Sequence, residues 1–181
     1  VDRARSVATD SQGNLYVLGV TEGSLNGNAH SGGSDLFLAK YDTEGNRIWT
    51  QQLGTAADES PGQYTRSMGL FIDTDDNIYI SGDTEGAFPG QTNAGGRDTF
   101  VARYDADGNL GWSRQFGTSA DDRAAGVAID RNGNINFVGR TNGSWDGQTA
   151  AGTNSYITTL DPDGNLLSTV LIGTAGEDIA R

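Results

Sequence analysis

Two hairpin-like patterns of apolar and polar positions recur along the chain. Leu36–Thr55 (LFLAKYDTEGNRIWTQQLGT) returns as Thr99–Thr118 and, more worn, as Tyr156–Thr174. Each copy is a pair of apolar runs around an Asp-x-(Asp/Glu)-Gly-Asn turn, closed by Gly-Thr. A second pattern precedes each copy, at Ser6–Thr21, Met68–Thr84 and Val127–Thr141. It turns at Asp10–Asn14, Asp73–Asn77 and Asp130–Asn134. The leading Asp of such a turn accepts hydrogen bonds from the turn's own N–H groups. Gly at the fourth position takes the left-handed conformation that closes a short loop. The second unit has Asp76 there, and Asp tolerates that conformation better than most residues; the turn is expected to persist with some strain.

Within Leu36–Tyr41, Leu36 and Leu38 point one way while Phe37, Ala39 and Tyr41 point the other. Both faces are apolar, which implies sheets covered above and below. No segment sustains apolar residues at i, i+3, i+4, i+7, so no helix is expected. The pattern predicts twelve strands, at 5–9, 14–20, 36–41, 47–53, 67–72, 77–83, 98–104, 110–116, 124–129, 134–140, 155–160 and 166–172. Asp10, Asp73 and Asp130 mark the repeat at spacings of 63 and 57 residues. The drift of six falls between Asp58 and Asp73, where Pro61-Gly62-Gln63-Tyr64 is inserted. The expected organisation is one segment, 1–181, of three units at about 1–60, 61–122 and 123–181. Four strands per unit, repeated, are the sequence sign of a β-propeller blade.

Composition agrees with short strands and Gly-rich turns: 27 Gly, 3 Pro and 35% hydrophobic residues in 181. The net charge of −12 repels phosphate backbones and argues against a nucleic-acid partner. No apolar run approaches the roughly 20 residues of a membrane helix. The absence of cysteine removes disulfides, thiolate metal sites and Cys nucleophiles.

Between the hairpins run Gly-rich connections at Glu22–Ser34, Glu85–Arg97 and Asn142–Thr153. Each holds one large apolar residue at the same place: Leu25, Phe88, Trp145. Such loops on a rigid scaffold carry recognition when they carry function. The ligand-binding candidates are Trp145, Asp146, Gln148, Phe88, Gln91 and Asn28. Trp145 offers a ring for stacking on a sugar; the competing reading makes it the apolar anchor of its loop. Trp49 and Trp112, 63 residues apart, are expected to pack one unit on the next.

The string Val7–Thr21, then Gly32–Asp42, Gly45-Asn46, Trp49 and Gly54-Thr55, resembles the SBBP type of bacterial β-propeller repeat. The resemblance covers nearly the whole chain and weakens in the third unit, where Leu160-Asp161 replaces Tyr104-Asp105 and Ser168 replaces Trp112. It implies an all-β fold of consecutive four-stranded antiparallel blades, in secreted or cell-envelope bacterial proteins. It implies no defined activity and no catalytic residues.

Catalysis has little to work with. His30, the sole histidine, sits in a Gly/Asn loop, and no phosphate-binding Gly-x-x-x-x-Gly-Lys pattern occurs. Paired carboxylates recur with the repeat, at Asp58/Glu59, Asp75/Asp76, Asp121/Asp122 and Glu177/Asp178, which suits structure better than a unique active site. Asp105-Ala-Asp107-Gly-Asn109 and Asp161-Pro-Asp163-Gly-Asn165 resemble half an EF-hand loop, but the bidentate Glu at the twelfth position is absent. Asp105, Asp107, Asp161 and Asp163 are therefore weak metal candidates, with no cofactor expected. The carboxylates after each Gly-Thr are expected to cap the bend between units.

Three blades are fewer than the roughly four to eight of a ring. Asp178–Arg181 repeats the register of Asp2–Arg5. The expected partners are further blades of a longer chain or a second copy closing a ring. The expected function is a non-enzymatic extracellular or envelope scaffold for binding or adhesion to protein or glycan. The alternatives are a carbohydrate-active enzyme using the carboxylates and a lectin-like module using the loops.

Overall fold

The computed structural model describes residues 1–60, 69–145, 147–148 and 152–173, with Ser60 described by its backbone alone. Every regular element among them is a strand. The first sheet runs β1 (Asp2–Thr9), β2 (Leu15–Thr21), β3 (Asp35–Tyr41), β4 (Arg47–Leu53) in that order. The second holds β5 (Glu59–Ser60) and β6 (Gly69–Ile72), both on β7 (Ile78–Thr84), followed by β8 (Asp98–Tyr104) and β9 (Leu110–Phe116). The third is β10 (Asp122–Ile129), β11 (Ile135–Thr141), β12 (Asn154–Leu160) and β13 (Leu166–Ile172). All pairings are antiparallel.

The first strand of each unit begins earlier than the apolar pattern predicts. Asp2 pairs Thr21 and Asp122 pairs Thr141, and the ladder then passes a bulge at Arg5 and at Ala125. The polar residues before the bulge look like loop but complete the ladder. Glu59 pairs Thr84 in the same way. In the second unit the strand predicted at 67–72 is observed at Gly69–Ile72, and Glu59–Ser60 pairs β7 separately; residues 61–68 lie outside the described residues. Pairing resumes at Gly69 with Ser81. The six-residue drift thus falls between Ser60 and Gly69, whose partners on β7, Asp83 and Ser81, are two residues apart. Pro61–Tyr64 lies outside the described residues. The second and third sheets begin at Glu59 and Asp122, four residues after Thr55 and Thr118.

All six hairpin turns close alike. The leading Asp accepts from the backbone N–H groups two and four residues on, and from the Asn side chain, with the same pattern at Asp10, Asp42, Asp73, Asp105, Asp130 and Asp161. Asp76 takes the left-handed conformation expected of it, at φ 61°. Its carboxylate accepts from Ser11 N and Ser11 Oγ at 2.9 and 2.7 Å, tying the turns of units one and two together. Charge-assisted bonds of this kind offset the backbone strain.

Two clusters fill the spaces between consecutive sheets. In the first, Tyr16, Leu18, Leu36 and Leu38 of sheet one meet Ile78, Ile80, Phe100 and Tyr104 of sheet two. In the second, Tyr79 and Val101 of sheet two meet Ile135, Phe137, Tyr156 and Leu160 of sheet three. The second sheet is therefore covered on both faces, by the first sheet and by the third, which matches the apolar residues on both sides of its strands. Glycine in the second strand makes room for the aromatic of the third. A Cβ at Gly19 would enter the Phe37 ring and one at Gly139 the Tyr156 ring.

Candidate functional site

The loop candidates are positioned by the strands beside them. Phe88 is 1% exposed and lies edge-on to Phe100, with ring centroids 5.0 Å apart. Trp145 is 8% exposed and packs on Tyr156 at 4.9 Å. Both rings belong to the cores between sheets. The indole placed for sugar stacking is the anchor of its loop, because the third sheet's leading face needs a large ring there. The polar candidates fasten the same loops to the fourth strands. Asn28 donates to the carbonyls of Leu25 and Thr50. Gln91 accepts from Gln115 N. Gln148 donates to Thr169 O and accepts from Leu171 N. Asp146 lies outside the described residues. These residues occupy three equivalent positions in three loops; they do not converge on one pocket.

The weak metal candidates sit in hairpin turns. Asp105 and Asp161 have their carboxylates taken up by the turn itself, and their pKa values are held low by the hydrogen bonds from Asn109 and Asn165. Asp107 and Asp163 are exposed on the same turns. Among the described residues no group of three or more His, Asp or Glu is arranged to hold a metal ion. His30 lies in its loop with Nδ1 3.3 Å from Asp35 Oδ2.

The corners between sheets were only partly legible. Glu59 and Asp122, not Asp58 and Asp121, receive the N–H of the Gly-Thr bend. Glu59 accepts from Thr55 N at 2.6 Å, Thr55 Oγ1 at 2.5 Å and Thr84 Oγ1 at 2.7 Å, and is 0% exposed. Asp122 accepts from Thr118 N at 2.6 Å and Thr118 Oγ1 at 2.9 Å. Asp58 and Asp121 instead accept from the backbone N–H of Ser34 and Arg97, closing the loop behind. The corner at Thr174, Glu177 and Asp178 lies outside the described residues. Burial pushes the pKa values of Glu59, Asp98 and Asp122 upward.

One polar pocket of about 500 Å³ opens between the second and third sheets, lined by Glu85, Gly96, Arg97, Asp121 and Arg123. The Arg97 guanidinium pairs with Glu85 and stands 3.6 Å from Asp83 Oδ2. Arg123 pairs with Asp121 at 3.0 Å, and its hydrogen bond leads the causes that lower the Asp121 pKa. Two guanidinium groups and their carboxylate partners thus line one polar cleft. Arg97 is not among the positions that the repeats share. Its counterparts are Ser34 and Thr153, so the signal was a departure from the repeat.

The fold and site define a repeat protein: stacked antiparallel sheets joined by buried carboxylate corners. Residues 48–89 and 111–144 match the SBBP Beta-propeller repeat family. The chain is 28% identical over 98% of its length to the regulatory protein FlaEY of Caulobacter vibrioides, covering 20% of that protein. It is 25% identical over 74% of its length to an uncharacterized WD repeat-containing protein of Acanthamoeba polyphaga mimivirus, covering 10% of it. The chain therefore spans a fifth or less of the length of these relatives. Among solved structures, a luciferin-regenerating enzyme aligns over 99% of this chain and 50% of its own, at 16% identity and a TM-score of 0.46.

Proposed function

We propose that the three sheets are consecutive blades of a β-propeller that serves as a non-enzymatic binding scaffold, and that the Arg97 pocket receives a polar ligand, a glycan or the polar surface of a protein. The observation that carries this reading is Arg97 itself. Units one and three carry Ser34 and Thr153 at that position, and Arg97 alone brings a guanidinium there, into the lining of the polar pocket beside Glu85 and Asp121. Convergent polar groups in a concave site are what specific recognition requires. An enzyme using paired carboxylates fits less well, since Glu59, Asp98 and Asp122 are sealed at 0% exposure. The regulatory role in the name of the Caulobacter relative is compatible with binding rather than turnover. We propose a location outside the cytoplasm, as the resemblance to the repeat family implies; fractionation of the native host tests it.

The test of binding is an immobilised array of bacterial surface glycans and envelope proteins, probed with the wild type and with Arg97→Ala. The variant is expected to lose at least tenfold in affinity for whatever the wild type retains while circular dichroism shows it folded; Arg97→Lys, which keeps a cation beside Asp83, separates a folding defect from a binding one. Equal binding by both would remove the pocket from the proposal.

We also propose that the hairpin turns need no calcium. Millimolar calcium is expected to shift the melting temperature by less than about 1 °C. A rise of several degrees, abolished by Asp107→Ala or Asp163→Ala, would show the opposite.

A further inference from the structure

The polar pocket between the second and third sheets adjoins a strand pairing that neither other sheet repeats. Arg123 of β10 stands directly opposite Arg140 of β11. Opposed residues on antiparallel strands share a face of the sheet, and like charges placed so are destabilising. The corresponding pairs are Arg3 with Val20 in the first sheet and Ser60 with Asp83 in the second. Only the third sheet sets two guanidinium groups against each other there, and Arg97 lines the same pocket as Arg123. The chain has 24 acidic and 12 basic residues, so this gathering of arginine runs against its composition.

The pocket's carboxylates complete the pattern. Arg97 is held from two sides, by Glu85 and by Asp83. Arg123 donates from Nη2 to Asp121 at 3.0 Å. Among the described residues that is the bond its guanidinium makes, which leaves N–H donors of the fork for a ligand. A guanidinium fork fits a carboxylate through parallel N–H···O bonds. A carboxylate lying at Arg123 and Arg140 would turn their mutual repulsion into attraction. The side chains of Glu85 and Asp121 are 44% and 39% exposed. Ionised carboxylates only accept hydrogen bonds, so they call for donors on the ligand. A carboxylate for the arginines and hydroxyls for the acids are both found on a sugar acid. The side chain of an acidic peptide carries no hydroxyls beside its carboxylate.

We propose that the pocket takes the acidic unit of a glycan, a uronic-acid-type sugar whose carboxylate is held by Arg123 with Arg140 alongside, and whose hydroxyls donate to Glu85 and Asp121. The proposal rests on the reading of the Arg97 pocket as a binding site and narrows its ligand.

The test is calorimetric titration of the full chain with short oligogalacturonate and oligoglucuronate, with the neutral oligosaccharides of the same length, and with oligoglutamate. A uronate is expected to bind at least about tenfold more tightly than its neutral counterpart or the peptide. Arg123→Gln is expected to erase that preference and Arg140→Gln to reduce it. Added salt is expected to weaken the uronate alone. Circular dichroism establishes that each variant folds; Arg123→Lys, which keeps the charge and loses the fork, is the second variant should Arg123→Gln not. Equal binding of acidic and neutral sugars, both lost in Arg97→Ala, would overturn the carboxylate and leave the pocket as a binding site. Oligoglutamate binding as tight as that of the uronates would overturn the sugar. Uronate binding that Arg97→Ala and Arg123→Gln leave unchanged would overturn the pocket itself. Failure of both uronates to bind would overturn the sugar-acid assignment, and the array with Arg97→Ala would then decide the pocket separately.

Discussion

Phe100→Ala is expected to lower stability by about 3–5 kcal/mol, the usual range for emptying a fully buried aromatic site. Phe100 is 0% exposed at the centre of the first junction, edge-on to Phe88. Its ring lies between the second sheet and the loop that Phe88 anchors, so truncation leaves a cavity that neither rigid strand can close. For a chain of this size the loss corresponds to a fall in melting temperature on the order of 10 °C. Phe88→Ala is expected to act at the same contact, and the pair should be markedly non-additive because each substitution already removes the ring contact. Thermal melts of the two single variants and the double variant check both points. A Phe100→Ala loss below about 1 kcal/mol would mean the junction is not packed as described.

Glu59→Ala is expected to cost about 2–4 kcal/mol, since it strips the acceptor from Thr55 N, Thr55 Oγ1 and Thr84 Oγ1 in a site closed to water. Glu59→Gln is a different experiment. Its carbonyl oxygen can still accept from Thr55 N, and its amide can donate to hydroxyls that are free to turn. The buried charge is removed while the hydrogen bonds remain. Glu59, Asp98 and Asp122 all have pKa values raised by burial, which outweighs the hydrogen bonds that favour their charged forms. Each binds its proton more tightly folded than unfolded. Its contribution to stability is complete below the unfolded pKa and is lost as pH rises through the higher folded value.

The turn carboxylates Asp42, Asp105, Asp130 and Asp161 act in the other direction. Hydrogen bonds from Asn46, Asn109, Asn134 and Asn165 hold them low, so their stabilisation is present above the unfolded pKa and lost as pH falls through the folded value. The two sets together place maximum stability at mildly acidic pH. Melts at pH 5 are expected to exceed those at pH 7.5. The net charge of −12 adds repulsion at the higher pH, so the diagnostic is the variant. Glu59→Gln should narrow the difference by raising the neutral-pH value. A difference that Glu59→Gln leaves unchanged would remove Glu59 as a source of the pH dependence.

The repeat pattern alone determined the three-unit, all-β organisation. Twelve strand positions follow from where apolar runs stop at Asp-x-x-Gly-Asn turns, because turn chemistry and strand periodicity are local properties of the chain. The role of Trp49 and Trp112 between units was equally legible, from their equivalent places, 63 residues apart, on the fourth strands of units one and two. The first strands were misjudged at their starts, since Asp2, Glu59 and Asp122 join the ladder through partners 19 to 25 residues away. Tertiary structure decided which of two adjacent carboxylates enters the corner: Glu59 over Asp58, Asp122 over Asp121. Alternation along an extended chain sends one inward to the threonines and the other back to the preceding loop. It also decided that the rings of Phe88 and Trp145 join the cores between sheets, and that Arg97 and Arg123 line one pocket. Those contacts are set by how one sheet lies on the next, and no pattern within a single unit encodes that distance.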